Sequence, residues 1–152
     1  MNHTGHDKED GTVDTLNTLL RGELSAIESY DKAMPAVRDQ PSIRGDLQDC
    51  RASHESRVER IRLAILQLGG QPAGTSGAWG AFAKAVAGGA ESLGWKAAVR
   101  ALEEGEDHGL KEYKDALPKM NEGLQRLISK ELYPQQEYTH NIIATIKRSA
   151  SA

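Results

Sequence analysis

Cysteine occurs once in the chain, as Cys50, so no intrachain disulfide can form and a disulfide-stapled scaffold is excluded. An excess of one charge is lacking too. Lys and Arg number 19 against 22 Asp and Glu, which argues against nucleic-acid binding through general electrostatics. There is no long hydrophobic run: the least polar stretch, 78–90, is interrupted by Lys84 and glycines and is too short to span a bilayer. The first dozen residues, MNHTGHDKEDGT, contain no apolar signal core, so the cytoplasm is the expected compartment. No segment sustains the period-2 alternation of a half-buried strand, and no phosphate loop, Ser-His-Asp arrangement or zinc-finger spacing stands out.

What is present fits one domain: 152 residues, of which 38% are hydrophobic. Four helical patterns carry it. The first, from about Val13 to Met34, has the seam Leu16, Leu20, Glu23, Ile27, Tyr30, Met34 and stops at Pro35. The second runs from Ser42 to the Gly69-Gly70 pair, a C-cap signal, through Ile43, Leu47, Cys50, His54, Val58, Ile61, Ile65 and Leu68. The third, Leu93 to Pro118, shows Val99, Leu102, Glu106, Leu110, Tyr113 and Leu117. The fourth, Asn121 to Arg148, shows Leu124, Ile128, Tyr133, Glu137, His140 and Ala144, with Ile142, Ile143 and Ile146 widening the apolar side. Pro134 inside the fourth predicts a kink or break.

The connection 70–92, GQPAGTSGAWGAFAKAVAGGAES, is far longer than the turns at 35–41 and 118–121. A short helix is expected over Ala78–Val86. Such a connector suits second and third helices that run parallel, because it can return the chain along a helix of roughly 38 Å. Residues 1–12 read as a disordered polar tail bearing His3 and His6, 13–148 as the bundle, and 149–152 as a C-terminal tail.

The chain also repeats itself. Gly22-Glu23 through Tyr30, Ala33 and Met34 matches Gly105-Glu106 through Tyr113, Ala116 and Leu117, as two copies of one helical hairpin would. Glu23 and Glu106 therefore fall on apolar seams, where an unpaired carboxylate is costly to bury. His54 and His140 occupy seam positions, and Glu137 precedes His140 by three on the same face. A divalent cation suits such a set, since carboxylates and imidazoles ligate iron, manganese and zinc and the ion offsets the buried negative charge. Without a metal, the glutamates would either be solvated on a helix edge or lie in the core bonded to each other's tyrosines. Cys50 reads as a small buried hydrophobe, Glu103 and Glu104 as a solvated face, and His108 as lying outside the site. Trp79, Phe82 and Trp95 would pin the crossover to the bundle.

The phrases LNTLLRGELSAIESYDKA, LGGQPAGTSGAWGAFAKAV and EEGEDHGLKEYKDAL, within Val13–Arg148, carry a family resemblance. The chain resembles the ferritin-like superfamily, and within it uncharacterised bacterial four-helix proteins with a domain of unknown function. The resemblance implies an all-α, up-down-down-up four-helix bundle with one long crossover between helices two and three. It also implies Glu23, His54, Glu106, Glu137 and His140 as ligands of iron, as one or two ions, with manganese or zinc as alternatives. Tyr30, Tyr113 and Arg51 would stand just outside them. Iron oxidation by oxygen or peroxide is the activity such a centre would support. The implied partners are metal ions and oxygen or peroxide, with a homodimer as the assembly considered, and neither nucleic acid nor membrane. The superfamily's sixth ligand, a carboxylate, falls at Arg51. The alternative reading is therefore a metal-free scaffold or interaction protein whose core holds an Arg51-centred salt-bridge network.

Overall fold

The computed structural model describes the backbone of residues 3–151 and the side chains of residues 10–150, so the side chains of His3 and His6 lie outside the described residues. Prolines and glycines set the element boundaries. Helix α1, His3–Ala33, gives way at Pro35 to a 3-10 turn, Met34–Val37, because proline cannot continue the hydrogen-bond ladder. It starts well before the apolar seam: the backbone is already helical at His3, where a disordered tail is expected. Helix α2, Pro41–Gln67, has proline in its first turn, where the missing N–H has no ladder partner to lose. It ends as expected on Gly69, at φ 76°, with the Gly70 N–H donating to the Ile65 carbonyl at 2.9 Å.

The crossover holds a 3-10 turn, Gly77–Trp79, and α3, Gly80–Leu93, which is longer than the helix expected there. Helix α4, Trp95–Ala116, leads through a turn at Pro118 to α5, Glu122–Leu127, capped by the Asn121 side chain accepting from the Leu124 N–H at 2.9 Å. A π-helical turn, Ile128–Leu132, joins α5 to α6, Tyr133–Ser151. The kink expected at Pro134 takes this form: the wider turn comes just before the residue that cannot donate to the carbonyl four back.

Cross-helix pairs give the helix directions. Glu23 meets Arg57 while Asp31 meets Arg51, so α1 and α2 are antiparallel. Tyr30 meets Glu106 and Tyr113 meets Glu23, so α1 and α4 are antiparallel. The pairs Arg57–Gln136 and Arg60–Glu131, then Glu106–Gln136 and Glu103–Lys147, set α6 antiparallel to both α2 and α4. The result is an all-α bundle, with no strand among the described residues. Helix α3 packs across α1 and α4. Among the described residues no helix is long and apolar enough to cross a membrane.

Polar anchors strap the crossover to α1. The Asn17 amide donates to the Gln71 carbonyl at 3.0 Å and accepts from the Ala73 N–H at 2.7 Å. Further along, the Ser25 hydroxyl donates to the Trp79 carbonyl at 2.5 Å, and Ser76 donates to Glu28 at 3.0 Å. The core is divided. One apolar cluster gathers Leu16, Leu20, Ile61, Ile65, Ile128 and Leu132; the other gathers Val37, Leu47, Val86, Val99, Ile143 and Ile146. Between them lies a layer of buried polar side chains.

A buried polar layer as the candidate functional site

Each helix of the bundle contributes to this layer by ordinary three- and four-residue spacing. Glu23 comes from α1, His54 and Arg57 from α2, Glu106 from α4, and Gln136 and Thr139 from α6, all 4% exposed or less. The His54 ring sits between the two glutamates. Its Nδ1 is 2.5 Å from Glu23 Oε2 and its Nε2 is 2.7 Å from Glu106 Oε1. A carboxylate faces each nitrogen, an arrangement that favours the imidazolium, which can donate from both; Arg57 Nη2 also lies 3.3 Å from Nε2. Arg57 donates to Glu23 Oε1 at 3.3 Å, to the Thr139 hydroxyl at 3.0 Å and to the Gln136 side-chain oxygen.

The second oxygen of Glu106 accepts from Gln136 at 2.8 Å and from Thr139 at 2.7 Å. The tyrosines cross over: Tyr30 donates to Glu106 and Tyr113 to Glu23, each at 2.5 Å. Two carboxylates, one imidazolium and one guanidinium cancel formally, and every carboxylate oxygen has a donor. Such full pairing is the condition for keeping charges in a low-dielectric layer.

The titration of these groups follows from the geometry. Burial pushes the Glu23 carboxyl up, but Arg57, His54 and the bonds from His54 and Tyr113 outweigh it and bring it from 4.5 to about 2. Glu106 is likewise lowered, with burial opposed by the charge and bond of His54 and by Arg57. His54 is raised: burial and Arg57 act against its charge, and Glu106 and Glu23 overcome them. Burial and the adjacent glutamates drive Tyr30 and Tyr113 well above 10, so both remain phenols.

Beside the layer, between α1, α4 and the crossover, lies a small cavity of about 40 Å³. Gly22, Leu102 and Gly105 form part of its wall, and Trp79 and Phe82 close it together with His108, whose ring lies 4.5 and 5.1 Å from theirs. Trp79 and Phe82 thus seat the crossover as expected, and His108 is part of that lid. A methyl group at Gly22 would meet nothing within 4 Å, whereas one at Gly109 would collide with the Gln136 amide. Gly22→Ala should therefore raise stability by about 0.5–1 kcal/mol, the helix-interior gain over glycine. Gly109→Ala should lower it by pushing Gln136 off Glu106. Urea unfolding of the two variants checks both signs.

The structure brings together Glu23, His54, Glu106, Tyr30 and Tyr113 from the expected set. It does not bring in the others. Glu137 is exposed, and His140 faces Asp107 at 2.6 Å outside the layer. The buried seam of the last helix is Ile128, Leu132, Gln136, Thr139, Ile143, Ile146, one residue out of step with the Glu137/His140 pair. Gln136 and Thr139 hold the inward positions. Arg51 is one-third exposed and pairs with Asp31 at 2.7 Å and with Glu55, so the arginine at the centre is Arg57 instead. Three residues after His54 on the same face, Arg57 was detectable by spacing. Cys50 is a fully buried core residue, as expected, with its thiol pushed up to about 12 by burial and Glu106.

The layer has the positional layout of a carboxylate-bridged di-metal bundle, with one glutamate on each of two helices and an i, i+3 polar pair on each of the others. The occupants do not fit metal ions. Where that layout calls for two Glu-x-x-His pairs, this chain has His54-x-x-Arg57 and Gln136-x-x-Thr139. A guanidinium offers no lone pair, and both nitrogens of His54 already face carboxylates. Among the described residues, the one grouping of His, Cys, Asp or Glu whose ligand atoms all lie within 4.8 Å of one another is Glu103, Asp107 and His140.

Comparison with known families finds a match over residues 11–119 to the family described as Domain of unknown function (DUF2383). No curated protein and no solved structure matches the chain.

Proposed function

We propose that this chain, which belongs to the Domain of unknown function (DUF2383) family, is a scaffold protein of ferritin-like architecture whose core holds no metal. Its buried polar layer acts as an internal ionic lock. The antiparallel neighbours, the parallel relation of α2 to α4 and the long crossover support the ferritin-like arrangement. One observation carries the metal-free reading: His54 and Arg57 supply, inside the layer, the two positive charges that bound cations would otherwise supply.

In this role the lock fixes helix register. Sliding α2 by one turn would withdraw both cations from Glu23 and Glu106 at once, leaving two buried carboxylates unpaired. Tyr30, Tyr113, Gln136 and Thr139 orient the carboxylates by donating to them, and the apolar clusters on either side keep water out. A bundle whose interior is held this way presents constant outer faces to whatever it contacts.

The test is anaerobic loading of a His140→Ala chain, which lacks the surface grouping, with Fe(II) or Mn(II), then desalting and elemental analysis. The expected result is substoichiometric metal and a melting temperature that does not respond to either ion. One or two ions per chain, lost on Glu106→Gln, would overturn the scaffold reading and restore a metal centre in the layer.

A further inference from the structure

The outer edge between α4 and α6 carries a different arrangement. Glu103 and Asp107 stand one turn apart on α4, and His140 of α6 reaches across to place Nε2 2.6 Å from Asp107 Oδ1. One ligand atom from each of the three lies within 4.8 Å of the other two. Like charges four residues apart on a helix are mildly destabilising, so the Glu103/Asp107 pair does nothing for α4 on its own. A cationic group already stands there: the Lys147 ammonium lies 2.6 Å from Glu103 Oε2.

We infer that Glu103, Asp107 and His140 form a surface site for a divalent cation of the zinc class. The donor set is one imidazole nitrogen and two carboxylate oxygens, which suits zinc and its first-row neighbours better than magnesium or calcium. Ligand atoms around one tetrahedral zinc lie roughly 3.4 Å apart, given bonds of about 2.0–2.2 Å. The ligand atoms already lie within 4.8 Å of one another, so closing on an ion asks for shifts of about an ångström in the side chains. Asp107 is 58% exposed, so water can fill the remaining coordination position. Lys147 is the competitor, and the ion enters as its ammonium swings out to solvent; its side chain is 40% exposed. The site is separate from the polar layer, so the two readings fail independently.

Calorimetric titration of the full chain with Zn²⁺ alone, repeated with Co²⁺ as a spectroscopic probe, tests the site. One ion should bind per chain, and His140→Ala should weaken binding by at least about tenfold. Lys147→Met should tighten it severalfold by removing the competing charge. His140 and Lys147 lie at the edge of the bundle, with side chains 20% and 40% exposed, so these variants should melt within a few degrees of the parent temperature. No saturable zinc binding, or His140→Ala binding as tightly as the parent, overturns the site.

Discussion

Replacing Arg57 by methionine should destabilise the protein by about 3–5 kcal/mol, the usual loss when one member of a buried charge network is removed. For a chain of this size that is a fall in melting temperature on the order of 10 °C. The effect comes less from lost contacts than from what stays behind. Glu23 would keep its charge with only His54 to balance it, and Gln136 and Thr139 would lose a shared donor. Arg51→Ala is the control, since its partners Asp31 and Glu55 are more than half exposed. Such surface pairs are worth about 0–1 kcal/mol. A double variant, Arg57→Met with Glu23→Gln, should recover part of the loss by removing the stranded charge as well. Equal effects of Arg57→Met and Arg51→Ala in urea unfolding would sink the ionic-lock reading.

Stability should also peak in a mildly acidic window, roughly between the ordinary carboxylate value of 4.5 and the ordinary histidine value of 6.5. The signs follow from which state binds the proton more tightly. Glu23 and Glu106 titrate lower in the folded chain, so their contribution is fully present above 4.5 and disappears as pH falls through the folded values. For Glu23, a drop from 4.5 to about 2 corresponds to about 3 kcal/mol. His54 titrates higher in the folded chain. Its contribution is complete below 6.5 and is lost as pH rises through its raised value. Thermal melts across pH should therefore fall on both sides of the window. In His54→Gln the alkaline limb should flatten while the acid limb remains; an unchanged alkaline limb would mean His54 is not the imidazolium that links the two glutamates.

Much of this was legible in the sequence. Three- and four-residue steps marked the bundle helices, and the Gly-Glu repeat with tyrosine seven residues on placed Glu23, Glu106, Tyr30 and Tyr113 in the core. The last helix was misread because Glu137-x-x-His140 has the form of a ligand pair, and anchoring on it required a five-residue step from Ile128 to Tyr133. The unbroken path runs Ile128, Leu132, Gln136, Thr139, Ile143, and it was hidden by a glutamine and a threonine, which are usually surface residues. Arg57 was missed for a related reason. Long cationic side chains rarely lie inside, and only the carboxylates arriving from other helices make an exception worthwhile. The start of α1 was hidden too, because its first residues carry no apolar stripe to betray a helix.

The crossed tyrosines have a consequence for the two halves of the chain. Each hairpin holds a buried glutamate but donates its own tyrosine to the glutamate of the other hairpin. The halves also depend on each other for charge: the first holds Glu23 together with His54 and Arg57, the second holds Glu106 with no cation of its own in the layer, so partial unfolding of one half strands a charge in the other. The halves are obliged to melt as one unit, and a fragment ending in the crossover would have its missing hydroxyl supplied only by a second fragment seated against it.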